Sequence, residues 1–240
     1  CNSYTITYDS EDSLIDSYIP ADYFYVAFNE SRLSAFRKHI QTTKCKARIE
    51  ANGAIHVFNP TISGTTYDSE YNDAATNHNF FEKSTRQRLV IPTKIIVSDH
   101  PDYGNGYTGS ATDSTSETAL GRSLPSHKYL RVASSAEAAA IATAILQHEQ
   151  VGAEKGHGVV PMNCGQEVMD YINFTDSVAG DSRAGNVGYL RRSYTPGREF
   201  RSELGFGKLA QELPFLSVPS VRAGAGEVRP TGVTYDDLQA

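Results

Sequence analysis

Outside two stretches, every apolar run in this chain is of strand length. Residues 30–42 set Leu33, Phe36 and Ile40 on one helical face, and residues 135–152 do the same with Ile141, Ile145 and Leu146. The second stretch is rich in alanine and opens with Ser134 and Glu137 in capping-box spacing, so it predicts the one long helix. The remaining apolar runs, at 80–81, 88–91, 94–97, 128–132, 159–160, 168–174, 187–194 and 199–206, are short and bounded by turn formers. In the last of them Phe200, Leu204 and Phe206 alternate with Glu199, Arg201 and Glu203, as a half-buried strand requires. The pattern predicts an α+β fold dominated by β-structure and excludes a helical bundle.

The first 60 residues are the most legible. Residues 13–18 predict a short helix stopped by Pro20, and the aromatic run 23–28 predicts a strand. Asn29 is placed to cap the helix over 30–42. Residues 45–50 alternate small or apolar with charged side chains, Asn52-Gly53 suits a two-residue type I′ turn, and residues 54–58 complete a hairpin ended by Pro60. The expected organisation is a small β-α-β-β domain at 1–60, a β-barrel-like domain at 61–217, and a Pro/Gly-rich linker or arm at 218–240. The barrel-like domain would carry helix 135–152 and a long loop at 99–126, where hydrophobic pattern is nearly absent. Pro196-Gly197 predicts a turn between the last two strands.

Composition narrows the function classes. Leu, Ile, Val and Phe total 51 of 240 residues, and net charge is only −6, which describes a folded but lightly cored chain that completes its burial against partner subunits. No apolar run reaches membrane-span length and no secretory signal is present. A pI near 5.6 argues against general nucleic-acid binding. Residues 9–30 hold six acids and no Lys or Arg, and residues 31–48 hold six Lys or Arg and no acid. Such neighbouring blocks pair with each other or with another subunit.

The candidate chemical motifs are each weaker than their structural reading. Three cysteines, Cys1, Cys45 and Cys164, exclude a disulfide scaffold; a Cys45–Cys164 bridge competes with the reading of two buried small apolar residues. The start at Cys1 suits processing, a piece of a longer protein, or a lipidated lipoprotein N-terminus. Gly104, Gly106 and Gly109 match G-x-G-x-x-G, but no helical face follows at 110–116. Asp99, Asp102, Asp113 and Asp181 offer Ca²⁺ oxygens without EF-hand spacing. His100, His148 and His157 sit in no zinc motif; His148 reads as a cation at a helix C-terminus, and His157 with Cys164 is a poorly placed thiol–imidazole pair. Arg183, Arg191, Arg192, Arg198 and Arg201 interleave with Tyr189 and Tyr194, which suggests a nucleic-acid or glycan face. Nearby Asp176, Asp181, Glu199 and Glu203 favour salt-bridged strands or a subunit contact. Two glycosylation sequons, at Asn29 and Asn173, matter only in a eukaryotic secretory setting.

The order of segments is more informative than any motif. "YIPADYFYVAFNESRLSAFRKHI" leads to the hairpin "CKARIEANGAIHVFNP", then "RQRLVIPTKIIVSD", the helix "SSAEAAAIATAIL", and the closing run from "GHGVVPMNCGQEV" to "RSELGFG". This order, over residues 9–207, resembles the hub proteins of tailed-phage tails and related injection machines. The resemblance implies a small hairpin domain joined to barrel-like domains, a strand at 88–97 ahead of the helix, and a closing Leu204-Gly205-Phe206-Gly207 stretch. It implies a virion tail protein, assembled in the host cytoplasm into a homotrimeric or other ring, contacting tail tube and tip proteins and passing DNA without sequence-specific contact. It implies no catalytic residues, cofactor or metal. Acids at 9–30 or 61–81 are expected at the lumen. Two other classes remain open at this stage: a cysteine- or metal-dependent hydrolase built on Cys164, His157 and the Asp-rich loop, and a lipoprotein or glycan binder using Tyr103 and Tyr107.

Overall fold

A six-stranded sheet, in the order β4-β10-β11-β12-β9-β5, curls into a half-barrel that organises the rest of the chain. The computed structural model describes residues 5–9, 12–18, 30–50, 52–73, 79–86, 88–100, 105–197 and 199–207. The fold is α+β and β-dominated, as the run lengths predict. The arm at 218–240 and the expected strand at 23–28 lie outside the described residues.

The N-terminal layer is a three-stranded sheet. β1 (Ile6–Asp9) runs parallel to β3 (Ile55–Phe58), which pairs antiparallel with β2 (Lys46–Ile49). After α1 (Leu14–Ser17), α2 (Arg32–Ile40) supplies Ile40, which packs with Cys45 and Val57 under cover of Ile15, Phe36 and Ile55. Ser31 caps α2 by accepting from the Ser34 N–H at 3.1 Å, a position two residues later than expected for Asn29. Leu33, expected on the buried face with Phe36 and Ile40, is 52% exposed. The hairpin turn also differs. Glu50 N–H donates to Ala54 O and Gly53 N–H to Glu50 O, both at 2.9 Å, with Gly53 at φ +81°. Gly53 takes the left-handed position of a loop longer than the expected two-residue turn, and the Asn52 carboxamide accepts from Ala54 N–H at 2.8 Å.

In the curled sheet β4 (Ser69–Asn72) runs parallel to β10 (Tyr171–Asp176), and β10 is antiparallel to the 15-residue β11 (Asp181–Thr195). β11 then pairs with β12 (Glu199–Phe206), β12 with β9 (Lys155–Pro161), and β9 with β5 (Glu82–Arg86), all antiparallel. Inward positions fill the curl with Tyr71, Val160, Ile172, Phe174, Val187, Leu204 and Phe206. Phe174 stacks on Tyr71 and meets Phe80 and Phe206 edge-on. Gly158 makes room for that ring: a Cβ there would lie 2.5 Å from Phe174.

Between β5 and β9 the chain inserts a third unit. β6 (Lys94–Asp99) sits between antiparallel β7 (Thr108–Thr112) and parallel β8 (Pro125–Leu130). α4 (Ser135–Ala153) crosses this sheet and buries Ala138, Ile141, Ala142 and Leu146 against Ile95, Val97 and Val132. Its start is the expected Ser134 cap, accepting from Glu137 N–H at 3.1 Å. The Glu137 carboxylate reaches past Ser134 to Ala133 N–H at 2.6 Å. The expected long loop at 99–126 is not there: it holds β7, α3 (Ser114–Leu120) and the start of β8. Small residues carry this packing without an apolar pattern; a Cβ on Gly109 would lie 2.2 Å from the Ala139 backbone nitrogen. Residues 88–91, expected as a strand, lead into β6 without strand pairing, although Val90 is buried there.

Candidate functional site

The ends and edges of the curled sheet are where this fold can meet something else. β4 and β5 are its edge strands, each paired on one side among the described residues. The curl brings them round toward the sheet's far strands: Lys83 on β5, its side chain only 8% exposed, reaches Asp181 at 2.9 Å and Asp176 at 3.8 Å. The Lys83 hydrogen bond holds the Asp181 carboxyl below its ordinary range, with the Lys83 and Arg183 charges adding to it. Beside this clasp, Asp73 accepts from the Ser177 N–H, the Ser177 hydroxyl and the Val178 N–H, ordering the turn after β10. That turn presents Val178 at 93% exposure.

The opposite end is plugged by residues 162–170. The Tyr71 hydroxyl donates to the buried Gln166 side chain at 2.5 Å, and Arg192 donates to the carbonyls of Gln166 and Cys164. Met169 has φ 77°, the one positive value among described non-glycine residues; Asn186 donates to its carbonyl at 3.1 Å. Arg48 ties the N-terminal sheet to this plug. It lies 4.9 Å over the Phe58 ring, bonds Glu50 at 2.9 Å and Glu167 at 2.6 Å, and donates to Val168 O at 3.2 Å. Burial raises the Asp170 carboxyl above its ordinary value there. Beyond the plug the β11–β12 hairpin projects, with Tyr194 and Phe200 67% and 55% exposed and their rings 5.6 Å apart, edge to face.

The residues singled out in the sequence are scattered. Asp113 caps α3 and accepts from Gln150 at 2.8 Å; burial opposes its ionisation, but these hydrogen bonds and Arg88 outweigh it and keep the carboxyl below its ordinary range. Asp99 is buried and accepts from His100 N–H, Asp181 belongs to the Lys83 clasp, and Asp102 lies outside the described residues. No group of three or more potential metal ligands forms among the described residues. His157 pairs with Glu203 at 3.1 Å, while Cys164 is exposed and free. The two show no thiol–imidazole contact, and no Cys45–Cys164 disulfide forms; Cys45 is buried, as the small-apolar reading has it, whereas Cys164, given the same reading, is exposed. His148 corrects the helix-dipole reading: its Nε2 lies 2.6 Å from Thr43 O, and burial, with Lys46 nearby, pushes its pKa down to about 4, so it is neutral. Gly106 precedes β7 and Gly109 lies within it, so the G-x-G-x-x-G motif runs into a strand rather than a helix N-terminus. The arginine-rich strands are salt-bridged, as expected: Arg183 with Asp181 at 2.9 Å and Arg191 with Glu203 at 3.8 Å. Glu203 also accepts from Tyr189, whose pKa burial and that neighbouring charge push up to about 12. Across the charge blocks, Glu30 pairs with Lys38 at 2.6 Å. Sequence reasoning did not single out Arg48, Lys83, Gln166 or Val178; only the turn-forming residues around 176–180 hinted at an exposed tip.

No family model and no curated protein matches the chain. Solved structures do. The 43 kDa tail protein of prophage MuSo2 from Shewanella oneidensis superposes with a TM-score of 0.55 at 12% identity, over 85% of this chain and 59% of its own. The tail protein from Neisseria meningitidis MC58 superposes with a TM-score of 0.53 at 12% identity, over 76% of this chain and 56% of its own. The chain thus has the fold of these tail proteins and spans less than two thirds of their length. No helix among the described residues is long and apolar enough to cross a membrane.

Proposed function

We propose that this chain is a structural subunit of a phage-type tail, in the hub or baseplate ring that links the tail tube to the tip and lets DNA pass. The observation that carries this reading is the fold shared with two phage tail proteins over 85% and 76% of the chain. The physical character of the molecule agrees with it. The curled sheet has two edge strands with open backbone groups, which neighbouring copies can cover when a ring closes. Of the side chains that would serve a hydrolase, His157 pairs with Glu203, Asp113 caps α3 and Asp181 holds Lys83, while Cys164 is exposed and meets none of them. Asp68, Glu70 and Asp73 on and beside edge strand β4 are exposed acids within 61–81, suited to a lumen that repels rather than retains DNA.

The test is assembly and location. Negative-stain images and light scattering of the full chain at rising concentration are expected to show closed rings, and an antibody against the chain is expected to label the tip end of purified tails. A monomer at every concentration, together with tails that carry no label, overturns the proposal.

A further inference from the structure

β11 has 15 residues, so at about 3.3 Å per residue its ends lie roughly 45 Å apart. Those ends are complementary to each other. At the Asp181 end Val178 is 93% exposed, and Asp73, Asp176 and Asp181 stand around it against two cations, Lys83 and Arg183. At the Thr195 end Tyr194 and Phe200 form an exposed aromatic pair, and Arg191, Arg192 and Arg201 lie along the same hairpin with Glu203. Among the described side chains, one end is apolar with an excess of negative charge and the other is aromatic with an excess of positive charge. Exposed aromatic surface of this kind marks a contact site. Like ends repel each other, which disfavours a symmetric pair through either tip; unlike ends attract and cover one another's apolar surface.

We propose that the two ends of β11 are the two halves of one head-to-tail contact, in which the Tyr194–Phe200 tip of one copy seats on the Val178 turn of a second copy. The inference rests on the reading of the chain as a self-assembling tail subunit and names the surface by which copies join. A contact of unlike surfaces propagates: it closes into a ring when the rotation between copies allows and otherwise extends as a filament.

The experiment is a charge swap in the full chain, read by sedimentation velocity across a concentration series at low and high salt. Arg191, with a side chain 75% exposed, and Val178 can both change without disturbing a buried contact, and thermal melting checks that each variant folds. Arg191→Glu alone and Val178→Arg alone are each expected to weaken association about tenfold at low salt, with a smaller effect at high salt. The double variant, which restores opposite signs across the contact, is expected to recover most of the loss. Two folded single variants that assemble as the wild type overturn this contact while leaving the assembly reading intact. A double variant no better than the singles also overturns it, since the loss is then not a charge match. A wild-type chain that never self-associates removes the assembly reading and this inference with it.

Discussion

His148 shows what one buried titratable group does to this molecule. Its Nε2 donates to Thr43 O, so the other ring nitrogen is the unprotonated one, and that Nδ1 is buried without an acceptor. A proton added there places a charge in the interior near Lys46. The unfolded chain takes up that proton near pH 6.5, whereas the folded chain resists until about 4. Stability is therefore complete above about pH 6.5 and falls as the pH drops toward 4, by about 3 kcal/mol in total. Urea unfolding at neutral pH and near pH 4 measures this loss. His148→Gln, whose amide keeps the bond to Thr43, is expected to remove most of it. None of this was legible in the sequence, where a histidine near a helix C-terminus reads as a charged partner of the dipole. The neutral state follows from burial first and then from the Lys46 charge, against the opposing pull of the Thr43 carbonyl, over 100 positions away in the chain.

At the scale of elements, α4 was the most legible part, because its cap, its alanines and its apolar face agree with one another. Ser134→Ala is expected to cost about 1 kcal/mol, seen as a lower midpoint in a denaturant titration. The region before α4 was misread for a physical reason. β7 reads Thr-Gly-Ser-Ala-Thr and α3 has one buried residue, Ser116, so neither shows the apolar spacing that announces an element. What places β7 is the absence of a side chain at Gly109, which lets the strand lie against the α4 backbone. Gly109→Ala is expected to cost at least about 2 kcal/mol, because the clashing atoms are main chain and cannot turn aside. A fall in melting temperature larger than that of Ser134→Ala checks the ordering. The four strands after α4 were legible as short apolar runs, with alternation in the last, whereas their order in the sheet was not, since β9 pairs with β5 and β10 with β4 across the inserted unit.

On the scale of the whole molecule, Lys83 closes one end of the curl. Replacing it as Lys83→Met leaves Asp176 and Asp181 without their enclosed cation, and is expected to cost about 2 kcal/mol at neutral pH. Asp181 is held below its ordinary value of 3.8, so its contribution is present above that pH and is lost as the pH falls further. The wild type and variant should therefore converge in urea stability as the pH falls below the ordinary carboxylate range. The order of the sheet has a consequence for how the protein comes into being. β4 and β5 are made early, and their partners β10 and β9 emerge only after the whole β6–α4 unit has been translated. Until then the nascent chain holds two orphan ribbons, while the intervening unit, built from neighbouring segments, can mature on the ribosome. The half-barrel is thus the last region to set, and a truncated product ending within it would release both ribbons as sticky, aggregation-prone surfaces.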